Sequence, residues 1–162
     1  MKKIVVVLLS ILMITSLSAC NSDDRNDALT PEINDNTDPD SDKDNENMNV
    51  KLTIGTTEFI VTLQDNMTAN AFKQFLPMTI DMSDLNNNEK YYGLPGALPT
   101  DTSNPDTIQN GDLMLYGSTT LVLFYKTFST SYSYTRIGKV ENPSGLQRAL
   151  EGSSITVKFE LQ

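Results

Sequence analysis

Cys20 is the only cysteine in the 162-residue chain, and the chain has no histidine. Without histidine there is no imidazole general base, and neither a Ser-His-Asp nor a Cys-His arrangement. One cysteine forms no intrachain disulfide, and one cysteine without histidine leaves no zinc site of the usual ligand types. Two further groupings invite a chemical reading. Glu89 and Lys90 put a carboxylate beside an ammonium, a pair suited to proton transfer. On an alternating strand, however, such charges are expected on the solvent face. Asp38, Asp40, Asp42 and Asp44 alternate as in a calcium loop. That loop needs glycine at its sixth position and a bidentate glutamate at its twelfth. Counted from Asp38, those places hold Lys43 and Asn49, so the run is read as solvated charge. No catalytic residue, metal or cofactor is expected.

The neighbourhood of Cys20 is more specific. Lys2 and Lys3 precede an apolar run from Ile4 to Leu17, broken only by Ser10, Thr15 and Ser16. The run is shorter than the ~20 residues of a bilayer-spanning helix. It ends in Leu17-Ser18-Ala19-Cys20, which resembles the lipobox of bacterial lipoproteins. The resemblance implies that residues 1–19 are a signal peptide and that the Cys20 sulfur takes a diacylglyceryl group, with palmitate-like chains. Two chains suffice for stable anchoring, where one gives only marginal binding. The expected location is extracytoplasmic, on the cell membrane or the outer membrane, with the lipid bilayer as a partner through Cys20. Asn21-Ser22-Asp23-Asp24 resembles the acidic stretch behind the cysteine of some surface-exposed Bacteroidetes lipoproteins.

The net charge of −9 is unevenly spread. Residues 21–49 carry ten acids against Arg25 and Lys43, whereas residues 50–162 carry eleven acids against eight bases. An acidic chain repels phosphate backbones, so no nucleic acid partner is expected. Residues 21–49 hold no aromatic side chain and are broken by Pro31 and Pro39. They bury too little to offset their ordering entropy, and residues 20–49 are read as a disordered tether behind a lipidated Cys20.

From residue 50 the pattern changes. Val50, Leu52 and Ile54, then Phe59, Val61 and Leu63, alternate with polar neighbours around Gly55-Thr56-Thr57, which predicts a hairpin. Thr68 to Leu76 predicts a helix with Ala69, Phe72 and Leu76 on one face, capped by Asn66 or Thr68 and closed by Pro77. Further strands are predicted over Met78 to Met82, Glu89 to Tyr92, Asp112 to Tyr116, Leu121 to Tyr125, Tyr134 to Val140 and Ile155 to Leu161. A second short helix is predicted over Asn142 to Leu150, capped near Ser144. Residues 93–110 read as a long loop, a feature uncommon in compact domains and often functional. The sum is a mainly β domain, residues 50–162, closed as a barrel of about eight strands with two short helices.

The order of these segments resembles a cyclophilin-like barrel. Met67-Thr68-Ala69-Asn70-Ala71-Phe72-Lys73-Gln74-Phe75-Leu76 resembles the first helix of that family, "P-K-T-A-E-N-F-x-x-L". Gly111-Asp112-Leu113-Met114-Leu115-Tyr116 resembles its "G-x-L-S-M-A" strand, and Leu121-Val122-Leu123-Phe124-Tyr125 its "S-Q-F-F-I" strand. Arg136-Ile137-Gly138-Lys139-Val140 resembles "V-F-G-K-V". The prolyl-isomerising cyclophilins use an arginine from an "F-H-R-x-I" strand; this chain has no arginine between Arg25 and Arg136. Lys90 lies nearer in sequence but lacks the planar fork.

The resemblance implies a groove on the outer barrel wall. Met114 and Tyr116 would face it, with Leu113 and Leu115 in the core, as strand alternation requires. Phe124 matches the pocket phenylalanine, Val122 replaces a substrate-binding glutamine, and Tyr134 stands where the enzymes have a groove histidine. Tyr132 joins this aromatic and apolar set, and Arg136 offers a place for a carboxylate. Two readings of the set stand side by side: a ligand or peptide groove, or outer-face packing beneath the loop at 93–110. The expected function is a non-enzymatic module at the cell envelope that binds a peptide, a protein partner or a small ligand. The alternative is a peptidyl-prolyl isomerase acting on secreted proteins.

Overall fold

A computed structural model describes residues 48–162. The expected signal peptide, the expected lipidation site Cys20, the Asp38–Asp44 run and nearly all of the expected tether lie outside the described residues.

The chain runs β1 (Asn49–Ile54), β2 (Thr57–Leu63), α1 (Met67–Lys73), β3 (Met78–Leu85), β4 (Glu89–Gly93) and β5 (Thr107–Ile108). It continues with β6 (Asp112–Tyr116), β7 (Thr120–Phe124), β8 (Phe128–Ser129), β9 (Thr135–Val140), α2 (Leu146–Ala149) and β10 (Ser154–Leu161). Eight strands close into an antiparallel barrel in the order β1-β10-β3-β4-β7-β6-β9-β2, and β5 pairs with β8 in a separate two-stranded ribbon. Closure leaves the barrel no unpaired edge.

Alternation decides which side chains fill the barrel. Val50, Leu52 and Ile54 of β1 and Phe59, Val61 and Leu63 of β2 are buried in one core with Leu113, Leu115, Leu121, Leu123, Val157 and Phe159. Both helices add to it: Ala69 and Phe72 from α1, Leu146 from α2. The Phe72 and Phe159 rings meet edge to face at 5.9 Å. Asn66 caps α1, its Oδ1 accepting from the Ala69 N–H at 2.8 Å while its Nδ2 donates to the Arg136 carbonyl at 2.9 Å.

Both helices are shorter than the sequence predicts. After Lys73 the amides of Gln74, Phe75 and Leu76 bond three residues back, to Ala71, Phe72 and Lys73, which tightens the turn instead of prolonging it. The second helix is a single turn beginning after Gly145 at φ 83, not one capped by Ser144. The Ser144 amide is taken by Asn142 Oδ1 at 3.1 Å, a local side-chain bond that competes with the helix.

The solvent-face expectation for Glu89 and Lys90 does not hold. Glu89 is 8% exposed and Lys90 is fully buried. At Glu89 and Lys90 both faces of strand β4 are buried, while Tyr91 is exposed. Lys90 stands opposite Leu123 and so faces the barrel interior. There its Nζ meets Asp84 Oδ1 at 2.8 Å and also donates to the Gly152 carbonyl. The Tyr125 hydroxyl donates to the same Asp84 oxygen at 2.5 Å. Burial draws the Asp84 carboxyl upward, but the hydrogen bonds from Lys90 and Tyr125 and the Lys90 charge outweigh it, holding Asp84 below the usual carboxylate range. Tyr125 is pushed well above an ordinary phenol, by burial first and then by Asp84.

Candidate functional site

Three neighbouring strands build the outer wall in question. In register, Glu89 stands opposite Phe124, Tyr91 opposite Val122, Val122 opposite Met114, and Tyr116 opposite Thr120. The alternate residues Leu113, Leu115, Leu121 and Leu123 face the core. Met114, Val122 and Phe124 therefore form an apolar stripe on the outside of the barrel, bordered by Glu89, Tyr91 and Tyr116.

The chain covers part of that stripe itself. Ile108 of the ribbon and Tyr134 bury with Met114, Val122 and Phe124 in a second cluster outside the barrel, and Phe128 of the ribbon packs against it. The Phe124 ring lies 5.4 Å from Tyr134, edge to face, and 5.7 Å from Phe128. Tyr134 is fixed by reciprocal backbone hydrogen bonds with Ser103, 3.0 Å each way. The long loop at 93–110 thus carries a ribbon strand and this bridge.

What stays open is a hollow of about 530 Å³ beside the covered stripe. Glu89, Tyr91, Tyr116, Val122, Tyr132 and Tyr134 line it, together with Leu85, Asn86, Asn88, Thr120 and residues 128–131. Tyr116 and Tyr132 are 46% and 61% exposed. The Tyr116 ring sits 6.2 Å from Tyr132, edge to face, and 5.6 Å from Tyr134. No lysine or arginine is among the lining residues.

Of the residues singled out in the sequence, Tyr116, Val122, Tyr132 and Tyr134 come together here. Met114 and Phe124 do not line the hollow. They are floor beneath it, sealed by Ile108, Phe128 and Tyr134. Arg136 does not line it either; its guanidinium is 3.9 Å from Asp112 Oδ2, and Lys139 Nζ approaches Asp112 Oδ1 at 3.7 Å. The β6–β9 register slips by one residue between Leu113 and Met114, which leaves Ile137 without a register partner on β6, while its carbonyl accepts from the Gln64 amide at 2.8 Å. The outer face is packed over half of the stripe and open as a hollow over the rest.

Sequence reasoning did not place Glu89 and Tyr91 in this hollow. The signal was the alternation of Glu89 and Tyr91 on the strand that pairs with Val122 and Phe124. Burial raises the Glu89 carboxyl above its ordinary value, and the Asp84 charge adds to the effect. Among the described residues, neither a hydrogen-bond donor nor a cation engages this carboxylate. The Tyr134 hydroxyl is raised too, by burial first and then by the Glu89 charge. Among the described residues, no group of three His, Cys, Asp or Glu side chains is placed to hold a metal ion.

The comparisons with known proteins agree with this architecture. The family model described as the Cyclophilin-like family matches residues 52–160, and the chain belongs to that family. Among solved structures it is similar to a hypothetical protein of Archaeoglobus fulgidus known from a solution structure, with a TM-score of 0.57 at 18% identity. That likeness covers 74% of this chain and 99% of the other, and it speaks for the fold. No curated protein matched the sequence.

Proposed function

We propose that this protein is a lipid-anchored envelope protein whose cyclophilin-like barrel binds a peptide or small ligand without catalysis. The observation that carries the binding role is the open hollow rimmed by Tyr91, Tyr116, Tyr132 and Tyr134 and lacking any guanidinium. Tyrosines offer apolar faces and polar tips, and a hollow of about 530 Å³ is within the size range of small-molecule sites. Isomerisation is the less favoured role. Phe124, which matches the pocket phenylalanine of the enzymes, is covered by the chain's own Phe128 and Tyr134. The Arg136 guanidinium lies beside Asp112.

The anchor rests on the lipobox-like Leu17-Ser18-Ala19-Cys20. Among the described residues no helix is long and apolar enough to cross a membrane. Metabolic labelling with a fatty acid should mark the protein and be lost in Cys20→Ser; labelling that survives the substitution removes the anchor. For the barrel, a thermal-shift screen of peptides and small molecules should find a ligand whose effect disappears in Tyr132→Ala. Catalysed cis–trans exchange of a proline peptide, lost in Phe124→Ala, would replace binding with isomerisation.

A further inference from the structure

Glu89 is 8% exposed as a residue, and its carboxylate lines a hollow walled by tyrosines and engages no donor or cation among the described residues. A buried carboxylate normally has a partner, because an uncompensated charge away from water is costly. The chain's own candidate is turned away: Lys90, the next residue, faces the barrel interior and is bound to Asp84 and Gly152. The tyrosine ring faces present negative charge density to whatever enters. The one charged group of the wall and its aromatic rings are thus complementary to a cation, and no lining residue supplies one.

We propose, building on the binding role above, that the hollow takes a ligand through an alkylammonium group, with Glu89 as its counter-ion. Tyr91, Tyr116, Tyr132 and Tyr134 provide the aromatic walls, and their hydroxyls and the backbone at 128–131 accept the remaining N–H groups. A hard metal cation does not suit the site. Calcium takes six or more oxygens, and Glu89 is the only carboxylate in the lining. An anion meets the Glu89 carboxylate, and no lysine or arginine lines the hollow to offset the repulsion.

The test compares three probes of one shape: benzylammonium, benzyl alcohol and benzoate. Each is titrated into the chain from residue 20 onward, carrying Cys20→Ser, and followed by the backbone amide shifts of β4, β6 and the segment 128–134. Benzylammonium should shift these amides saturably, about ten-fold or more tighter than benzyl alcohol, and benzoate should not bind. Glu89→Gln should bring benzylammonium down to the level of the alcohol, while Glu151→Gln, outside the hollow, should leave it unchanged. Should Glu89→Gln fold poorly, Tyr132→Leu keeps apolar area but removes a ring, and it should weaken the ammonium more than the alcohol. Equal binding of ammonium and alcohol, or an unchanged affinity in Glu89→Gln, overturns the ammonium site and leaves the binding role intact. No shift with any probe overturns the ammonium site, and the ligand screen alone then decides the binding role.

Discussion

Glu89 and Lys90 are adjacent in the chain and similarly buried, yet among the described residues Lys90 has a counter-charge and Glu89 has none. Lys90 faces inward onto Asp84, whereas Glu89 faces outward into the hollow. Their effects on stability are therefore opposite in sign. The folded Glu89 pKa is raised, so between its unfolded and folded values the native state holds more protons, and stability falls as pH rises through that window. Glu89→Gln should raise the unfolding free energy at neutral pH by on the order of 1 kcal/mol, with the gain vanishing well below the unfolded pKa, where both states are protonated. A Gln variant less stable than the parent at neutral pH contradicts the uncompensated carboxylate. Asp84 behaves in the other direction. Its folded value is depressed, so its contribution is present above 3.8 and is lost as pH falls through the folded value. Asp84→Asn leaves Lys90 buried without a counter-charge and should cost about 3–5 kcal/mol in equilibrium unfolding. Neither role was legible in the sequence. Lys90 finds Asp84 six positions earlier and Gly152 sixty-two positions later, and alternation marks a side chain's face without saying what covers that face.

At the scale of elements, legibility followed length. Strands such as β1, β2 and β10 carry an alternating pattern and emerged from it, the apolar runs of β6 and β7 emerged from the turns at Asn110-Gly111 and Gly117-Ser118, and the fold class followed. The ribbon did not, because Thr107–Ile108 and Phe128–Ser129 are two residues each and have no period. That omission matters to the site, since the ribbon is what turns a proposed groove into a half-covered stripe. The irregular junction of β9 with β2 and β6 was hidden for a similar reason. A Cβ at Gly138 would stand 2.8 Å from the Thr62 carbonyl oxygen and 3.0 Å from Val61 Cγ1, so the backbones pair there only without a side chain. Gly138→Ala should lower the unfolding free energy in urea by about 1–3 kcal/mol through overpacking, with an unchanged m-value. Gly93→Ala, with nothing within 4 Å of the added carbon, should be near neutral. Equal effects of the two substitutions would refute the close approach of β2 and β9.

For the molecule as a whole, barrel closure determines where the chain can be cut. β1 is both the first strand and the stave between β10 and β2. It pairs with β10 from Val50–Leu161 to Ile54–Val157, and with β2 from Asn49–Thr62 to Ile54–Thr57. The Met48 carbonyl accepts from the Leu63 amide at 2.7 Å, and the Asn49 carbonyl from the Gln162 amide at 3.1 Å. The stave thus begins at residue 48, a few positions before the stretch matched by the family model. Removing the acidic residues 21–47 takes away no strand of the barrel and most of the surplus negative charge. A chain starting at Met48 should therefore unfold cooperatively within a few degrees of one starting at residue 20. A chain starting at Gly55 lacks Val50, Leu52 and Ile54 and leaves two buried edges unpaired. Burying a Val, Leu or Ile side chain is worth about 1.5–3 kcal/mol, so three of them approach the whole stability of a small domain. That chain should show no cooperative transition in circular dichroism. If it melts like the longer one, β1 is not the stave that closes the barrel.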